Sequence, residues 1–152
     1  MSITIRPLAA DDKQVWLELW QGYLTYYRSK LDAEVTELTW SRLMDADFGI
    51  QGLGAIDESG ALVGFVHYLF HPVTWAKGPR CYLEDLFTAQ AARNTGAGRA
   101  LIRAVEDAAR AKGADQLYWL TEDHNKRAHY LYNKVAEKTE FIKYKKVLRD
   151  AP

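Results

Sequence analysis

The hexapeptide Arg93-Asn94-Thr95-Gly96-Ala97-Gly98 lies between a strand-like run, Cys81 to Thr88, and a strongly helical run, Arg99 to Lys112. In that setting it predicts a phosphate cradle. Glycines at 96 and 98 let backbone amides approach a ligand with no Cβ in the way, and the positive end of the following helix attracts each anionic group by about 0.3–1 kcal/mol. Arg93 adds a guanidinium at the mouth. Two common phosphate motifs do not fit. A P-loop needs Lys and Ser/Thr directly after its last Gly, where Arg99-Ala100 stand here, and the dinucleotide fingerprint needs its glycine turn after the first strand with an acid about 20 positions on.

The pattern that does fit, Arg-x-x-Gly-x-Gly, resembles the pyrophosphate-binding motif of the GNAT superfamily of acyl-CoA N-acyltransferases. Tyr82-Leu83-Glu84-Asp85-Leu86-Phe87 resembles the strand before that motif in the diamine acetyltransferases and in the histone/polyamine and D-amino-acid N-acetyltransferase branch. The run from Asn125 to Tyr132 resembles the superfamily's Asn-x-x-Ala-x-x-Leu-Tyr signature. The resemblance implies transfer of an acetyl group from acetyl-CoA, as co-substrate, to a primary amine by direct attack. A polyamine, an amino acid, and the Lys or N-terminal amine of a protein are all acceptors within this branch. Carried over residue by residue, it assigns Arg93, Asn94, Thr95, Gly96, Ala97, Gly98 and Arg99 to the pyrophosphate. Leu86, Phe87 and Thr88 of the strand, with Asn125 and Ala128, complete the cofactor-binding set. The match departs at Asn94, where Gly is frequent, and at Ala97, where a larger aliphatic is common, which implies an altered local fit with the two glycines kept.

Acetyl transfer poses two proton problems. An alkylamine with pKa near 10.4 is almost wholly ammonium at pH 7, and deprotonating it costs about 4.6 kcal/mol. The departing thiolate also needs a proton or an equivalent stabilisation, and a positioned acid or base supplies roughly 10²–10⁴ in rate. The resemblance makes Glu84 the base, directly or through water, and Tyr132 the acid beside the thioester sulfur. Strand alternation places Glu84 with Tyr82 and Leu86 on one face and Asp85 with Leu83 and Phe87 on the other, so only one carboxylate is expected to face a given cleft. The competing reading makes Glu84 and Asp85 structural acids paired near Arg80 or Arg93. Asn125 and Tyr132 are seven residues apart, close to two helical turns, so both fit along one helix face. Leu131 and Val135 read as core.

The elements that must position these groups follow from periodicity. A short strand at Ser2–Arg6 ends at Pro7, and Asp11 or Asp12 caps a helix whose residues Trp16, Trp20, Tyr23, Leu24 and Tyr27 share one face. A second helix is expected at about Thr36–Asp45, with Leu38, Leu43 and Met44 as apolar contacts. Runs at Ile50–Asp57, Ala61–Phe70 and Arg80–Thr88, broken by Glu58-Ser59-Gly60 and by a loop holding Pro72, Gly78 and Pro79, predict three antiparallel strands. Then come a helix at Arg99–Lys112 stopped by Gly113, a strand at Gln116–Thr121, a helix at about Asn125–Val135 and a last strand at Glu140–Val147. The resulting order, β-α-α-β-β-β-α-β-α-β, is an α/β (α+β) chain: a mixed, mostly antiparallel sheet with helices on both faces. By resemblance it is the GNAT fold, whose central strands splay apart, here between Tyr82–Thr88 and Gln116–Thr121, to admit the acyl-CoA.

With 152 residues the chain is expected to form one domain, 1–152. Lys+Arg and Asp+Glu are 20 each, so no global field draws it to nucleic acid or membrane. One cysteine, Cys81, leaves no internal disulfide and no Cys-based metal site. His67, His71, His124 and His129 lack the close spacing of a metal-binding helix, and structural or surface roles are expected for them, with no metal. No signal-like apolar region opens the chain and no run approaches the roughly 20 apolar residues of a membrane span, which predicts a cytoplasmic protein. A homodimer is expected. Lys143, Lys145 and Lys146 alternate with apolar Ile142 and Tyr144 as on a solvated strand face. A non-catalytic CoA-binding regulatory module would also keep Arg93 to Gly98, yet would have no use for Glu84 and Tyr132. A nucleic-acid-binding domain would need a basic face that the balanced charge does not supply. The acids Asp32, Glu34, Glu37 and Glu84 favour a cationic acceptor.

Overall fold

A computed structural model of the chain describes residues 2–148. Contacts divide it into two compact units, one ending at Leu120 and the other starting at Thr121. The first contains β1 (Thr4–Pro7), α1 (Lys13–Tyr26), α2 (Ala33–Leu43), β2 (Ile50–Ile56), β3 (Leu62–His71), β4 (Arg80–Thr88), α3 (Ala97–Lys112) and β5 (Leu117–Tyr118). The strands form one sheet in the order β1-β2-β3-β4-β5, antiparallel except for the parallel β4–β5 pair.

The two faces of this sheet are read from β3. Phe65 and His67 are buried against Trp16 and Trp20 of α1, with ring centroids 5.6–6.4 Å apart. Val66, between them, is buried on the opposite face, as strand alternation requires. Phe70 shares that second face, and Lys112 of α3 sits over its ring. Helices therefore cover both faces: α1 on β3 and β4, α2 on β2, and α3 across the sheet with Leu101, Ile102, Val105 and Ala109 buried. On the α1 face the core is aromatic, with Trp16 stacked on Trp20 at 5.4 Å and tilted against Trp40 at 5.0 Å. Gly113 closes α3 in the left-handed region at φ 78°.

Several boundaries differ from the periodicity reading. In α2 the buried residues are Thr36 and Trp40, while Leu38 and Met44 face solvent; the phase is set by Trp40 packing on Trp16, with the Trp20 indole N–H donating to the Thr36 hydroxyl at 3.2 Å. α3 begins at Ala97, so Ala97 and Gly98 belong to the helix and not to the loop. β5 is two residues long, because its ladder with β4 ends at Tyr82–Tyr118.

In the second unit, α4 (Lys126–Val135) is capped by Asn125, whose side-chain oxygen accepts from the Ala128 amide at 3.3 Å. Nothing in α4 is fully buried; Leu131 and Val135, expected as core, are half-buried. The expected last strand at Glu140–Val147 does not form. Residues 140–148 are solvent-exposed and outside any ladder, because among the described residues no strand lies beside them to take their N–H and C=O groups.

Cys81 is fully buried, and burial pushes its thiol up to about 11. At pH 8 it is overwhelmingly protonated and shielded, so a thiol reagent is expected to label the native protein at least about tenfold more slowly than the denatured one. Equal rates would mean that β4 opens readily at this position.

Candidate active site

The β3–β4 register decides where the two acids point. His67 pairs with Asp85 and Tyr68 with Leu83, so Glu84 is an extra residue on β4 and forms a β-bulge. This overturns the expected alternation. Leu83 is carried to the α3 face with Tyr68, while Asp85 stays with His67 on the α1 face. Glu84 acts on the same side, since its charge helps to raise Tyr23 and Tyr82 and the Tyr82 hydroxyl donates to it. Both carboxylates thus serve one face, which an unbroken strand could not arrange.

Their environments are different. Asp85 is largely buried and accepts the Tyr23 hydroxyl at 2.6 Å on one oxygen and His67 Nδ1–H at 2.9 Å on the other. The Trp16 indole N–H, which can only donate, meets His67 Nε2 at 3.1 Å. Nε2 is therefore the acceptor and the ring proton resides on Nδ1, giving a directional chain from Trp16 through His67 to Asp85. Desolvation, then the adjacent Asp85 charge, drives the Tyr23 phenol far above its ordinary range. Tyr23 is a fixed donor. Glu84, in contrast, is solvent-exposed. Tyr82 is pushed up to about 12, first by burial and then by Glu84, and keeps its proton at neutral pH. Of the suggested partners, Arg80 makes a two-point ion pair with Asp115, at 2.8 and 3.1 Å, and Asp85 is held by His67 and Tyr23.

Beyond the bulge the sheet opens. β5 pairs only with Cys81 and Tyr82, so from Leu83 to Thr88 the edge of β4 facing β5 has no ladder partner. Leu86, Phe87 and Thr88 lie on this stretch. A 3-10 turn at Gln90–Ala92 leads to Arg93, then Asn94 at φ 66° and Gly96 at φ 89°, both left-handed. The departure at Asn94 has a physical reason, because Asn is among the few non-glycine residues that tolerate this region. Gly96 caps α3 without a side-chain bond, and the first ladder bond runs from the Ala100 amide to the Gly96 carbonyl at 2.9 Å. The amides of Ala97, Gly98 and Arg99 thus have no partner within the helix. A Cβ built on Gly96 would meet nothing within 4 Å, so the amide cradle opens outward. Thr95 turns its hydroxyl inward to the Ala92 carbonyl, and Arg93 borders a groove with Gln21, Gly22, Thr25, Tyr26, Phe87 and Gln90. A phosphate-bearing ligand fits such a cradle.

In the second unit, Tyr132 lies half-buried on α4, and Asn125 is occupied as that helix's cap. Of the histidines, His67 is structural and fully buried, His71 bonds the Tyr118 hydroxyl at 2.9 Å, His129 bonds the Glu122 carbonyl at 3.0 Å, and His124 is exposed beside Glu122. Tyr23, His67 and Tyr82 were not singled out as site residues from sequence. Their signals were present: Tyr23 on the aromatic helix face, and His67 at the same strand parity as Phe65, a position that demands a partner for a buried imidazole.

The splayed β4 edge, the bulge and the uncapped α3 start define an acyl-CoA transferase scaffold, and comparison with known proteins places the chain. The model of the Acetyltransferase (GNAT) family matches residues 14–136. D-amino-acid N-acetyltransferase HPA3 of Saccharomyces cerevisiae is 35% identical over 145 residues, covering 95% of this chain and 90% of that protein. Thialysine N-epsilon-acetyltransferase of Bos taurus is 41% identical over 75 residues, 49% of this chain and 44% of that protein. Among solved structures, AAC(6')-Iy in complex with the bisubstrate analog CoA-S-monomethyl-acetylneamine superposes with a TM-score of 0.83 at 18% identity, covering 98% of this chain and all of that one. The chain belongs to the GNAT acetyltransferase family and is an acetyl-CoA-dependent N-acetyltransferase acting on an amine.

Proposed function

We propose that this enzyme acetylates a small cationic primary amine, an amino acid or a diamine, with Glu84 as base and Tyr132 as acid. The observation that carries the reading is the bulge, which brings an exposed carboxylate to the α1 face at the point where β4 loses its β5 partner. Glu84 rather than Asp85 takes the proton, because both Asp85 oxygens already accept bonds from rigid donors, whereas Glu84 has access to water. Arg93 to Arg99 are assigned to the acetyl-CoA pyrophosphate, and Leu86, Phe87, Thr88, Asn125 and Ala128 to the rest of the cofactor. The neutral amine attacks the thioester carbonyl, the C–N bond forms, the C–S bond breaks, and the Tyr132 hydroxyl protonates the departing sulfur. The substrate class is supported by the acids Glu84 and Asp85 at the site and by relatives named for D-amino acids and thialysine. Residues 1–152 serve as one catalytic domain, in the cytoplasm and as a homodimer; a lone, buried cysteine suits a reducing compartment.

The test is free-thiol release from acetyl-CoA across D- and L-amino acids, thialysine, spermidine and a lysine-bearing peptide. Turnover with at least one small amine is expected, and turnover with the peptide alone would overturn the substrate class. Tyr132→Phe removes one hydroxyl and little volume. It is expected to lower kcat by about 10-fold or more at nearly unchanged acetyl-CoA affinity, the pattern of a lost transition-state donor. An unchanged kcat would leave Tyr132 as packing.

A further inference from the structure

His67 and Asp85 have the make-up of a catalytic pair, in which a carboxylate holds one nitrogen of an imidazole and the other nitrogen faces the reacting group as general base. Here the second nitrogen faces inward. His67 is 1% exposed, with its ring stacked on Phe65 at 4.6 Å and the rings of Trp16 and Trp20 at 6.0 and 5.6 Å. Nε2, the nitrogen that would take a substrate's proton, is plugged by the Trp16 indole N–H at 3.1 Å. The Trp20 indole N–H is spent on Thr36, so Trp16 is the donor that sets the ring. A proton added to Nε2 would press two buried N–H donors against each other and leave both unpaired, which is costly.

The consequence falls on Asp85. A neutral imidazole donates a hydrogen bond but brings no charge, and the other donor, the Tyr23 hydroxyl at 2.6 Å, brings none either. Among the described residues no Lys or Arg stands within ion-pair distance of Asp85. Its side chain is 16% exposed, so its charge is fixed in place and only weakly screened by salt. That charge reaches the site. Tyr23, raised first by burial, feels it, and so does Tyr82, raised first by burial and then by Glu84. The titratable groups that face the His67 ring are Asp85 from β4 and, through Asp85, Tyr23 from α1, while β2 sets Gly52 beside it.

We propose that His67 is a positioning residue that carries no proton: locked neutral by Trp16, it holds Asp85 as an uncompensated anion behind Glu84, and that fixed charge draws the acceptor's ammonium to the base. The inference rests on the reading of a cationic acceptor with Glu84 as base, and it gives the buried network beneath that base a task. An imidazolium at 67 would cancel the Asp85 charge. An apolar residue there would take one donor from the Asp85 carboxylate and let it shift. A neutral donor at the place of Nδ1 is what the task requires.

The experiment compares His67→Asn with His67→Leu on the full chain. Asn and Leu have nearly the same shape, and only Asn sets an N–H where Nδ1–H of His67 stands; neither is a base. Both leave the Trp16 N–H without its acceptor, so the comparison isolates the donor to Asp85. With acetyl-CoA and an amine accepted in the thiol-release panel, His67→Asn is expected to keep kcat/KM within about threefold of the parent. His67→Leu is expected to lose about tenfold or more, mainly as a raised KM for the amine at unchanged acetyl-CoA affinity. Nitrogen-15 NMR of the parent's histidine rings reads the lock without any acceptor, and a proton on Nδ1 of His67 with none on Nε2 is expected. An Asn variant as impaired as the Leu variant overturns the proposal, as does a Leu variant equal to the parent. A proton on Nε2 overturns it even where neither variant folds. Failure on an accepted amine leaves the cationic-amine reading intact; if no amine in the panel turns over, that reading fails and the charge role falls with it.

Discussion

Glu84→Gln is expected to lower kcat/KM for an accepted primary amine by about 10²-fold or more at pH 7, with the deficit narrowing as pH approaches the amine's own pKa. The substitution keeps the size of the side chain and its ability to accept from Tyr82, but removes the group proposed to take the ammonium proton. At high pH free amine arrives without help, so the variant regains part of the lost rate. Asp85→Asn should behave differently, and the network says why. An amide at 85 accepts one of the donors from Tyr23 and His67 but turns its own N–H₂ toward the other, leaving a buried polar group unpaired. That costs about 1–3 kcal/mol, or roughly 2–4 °C in Tm for each kcal/mol in a chain of this size. Its pH profile should run parallel to the parent's. The measurements are kcat/KM against pH and thermal unfolding for parent and both variants. If Glu84→Gln keeps the parental profile while Asp85→Asn loses activity selectively at low pH, the base is Asp85. If both profiles match the parent, the amine is deprotonated in bulk solvent.

What made this assignment hard from sequence is the bulge itself. Alternation along Tyr82 to Phe87 presumes an unbroken pleat, and nothing in the residue types between Leu83 and Asp85 announces the extra residue at Glu84. A bulge is settled by what β3 offers opposite, here His67 beside Tyr68, so it is a property of two strands and not of one. Features set by one segment were legible. β4 runs from Arg80 to Thr88 as its apolar run predicts, and Gly113 stops α3. The left-handed turn into α3 was legible as well, because Gly96 acts through its own backbone conformation. The phase of α2 was not, since Trp40 turns inward to meet Trp16, far away in sequence. The strand expected at Glu140–Val147 does not form: its alternating pattern is that of a strand, but a strand exists only beside a neighbour, and no described strand of this chain provides one.

Gly96→Val is expected to raise the dissociation constant for acetyl-CoA by about 10-fold or more and to remove most of the stabilisation that acetyl-CoA confers on the folded protein. Two costs are mixed in this substitution. At φ 89° a β-branched residue is strained by roughly 1–2 kcal/mol, which lowers Tm with or without ligand. The new side chain also projects into the open space through which, on the proposed reading, the pyrophosphate approaches the amides of Ala97, Gly98 and Arg99. The other end of the same helix separates the two costs. Gly113 is also left-handed, at φ 78°, and a Cβ there likewise meets nothing within 4 Å, but it caps the helix C-terminus, whose carbonyls offer nothing to a phosphate. Gly113→Val should therefore lower Tm by a similar amount and leave acetyl-CoA affinity unchanged. Calorimetric titration and thermal shift on parent and both variants resolve the comparison. Equal losses of affinity would make the effect a general loosening of α3, and unaltered binding by Gly96→Val would remove the phosphate from this loop. Loss at Gly96 alone assigns the cradle to the ligand.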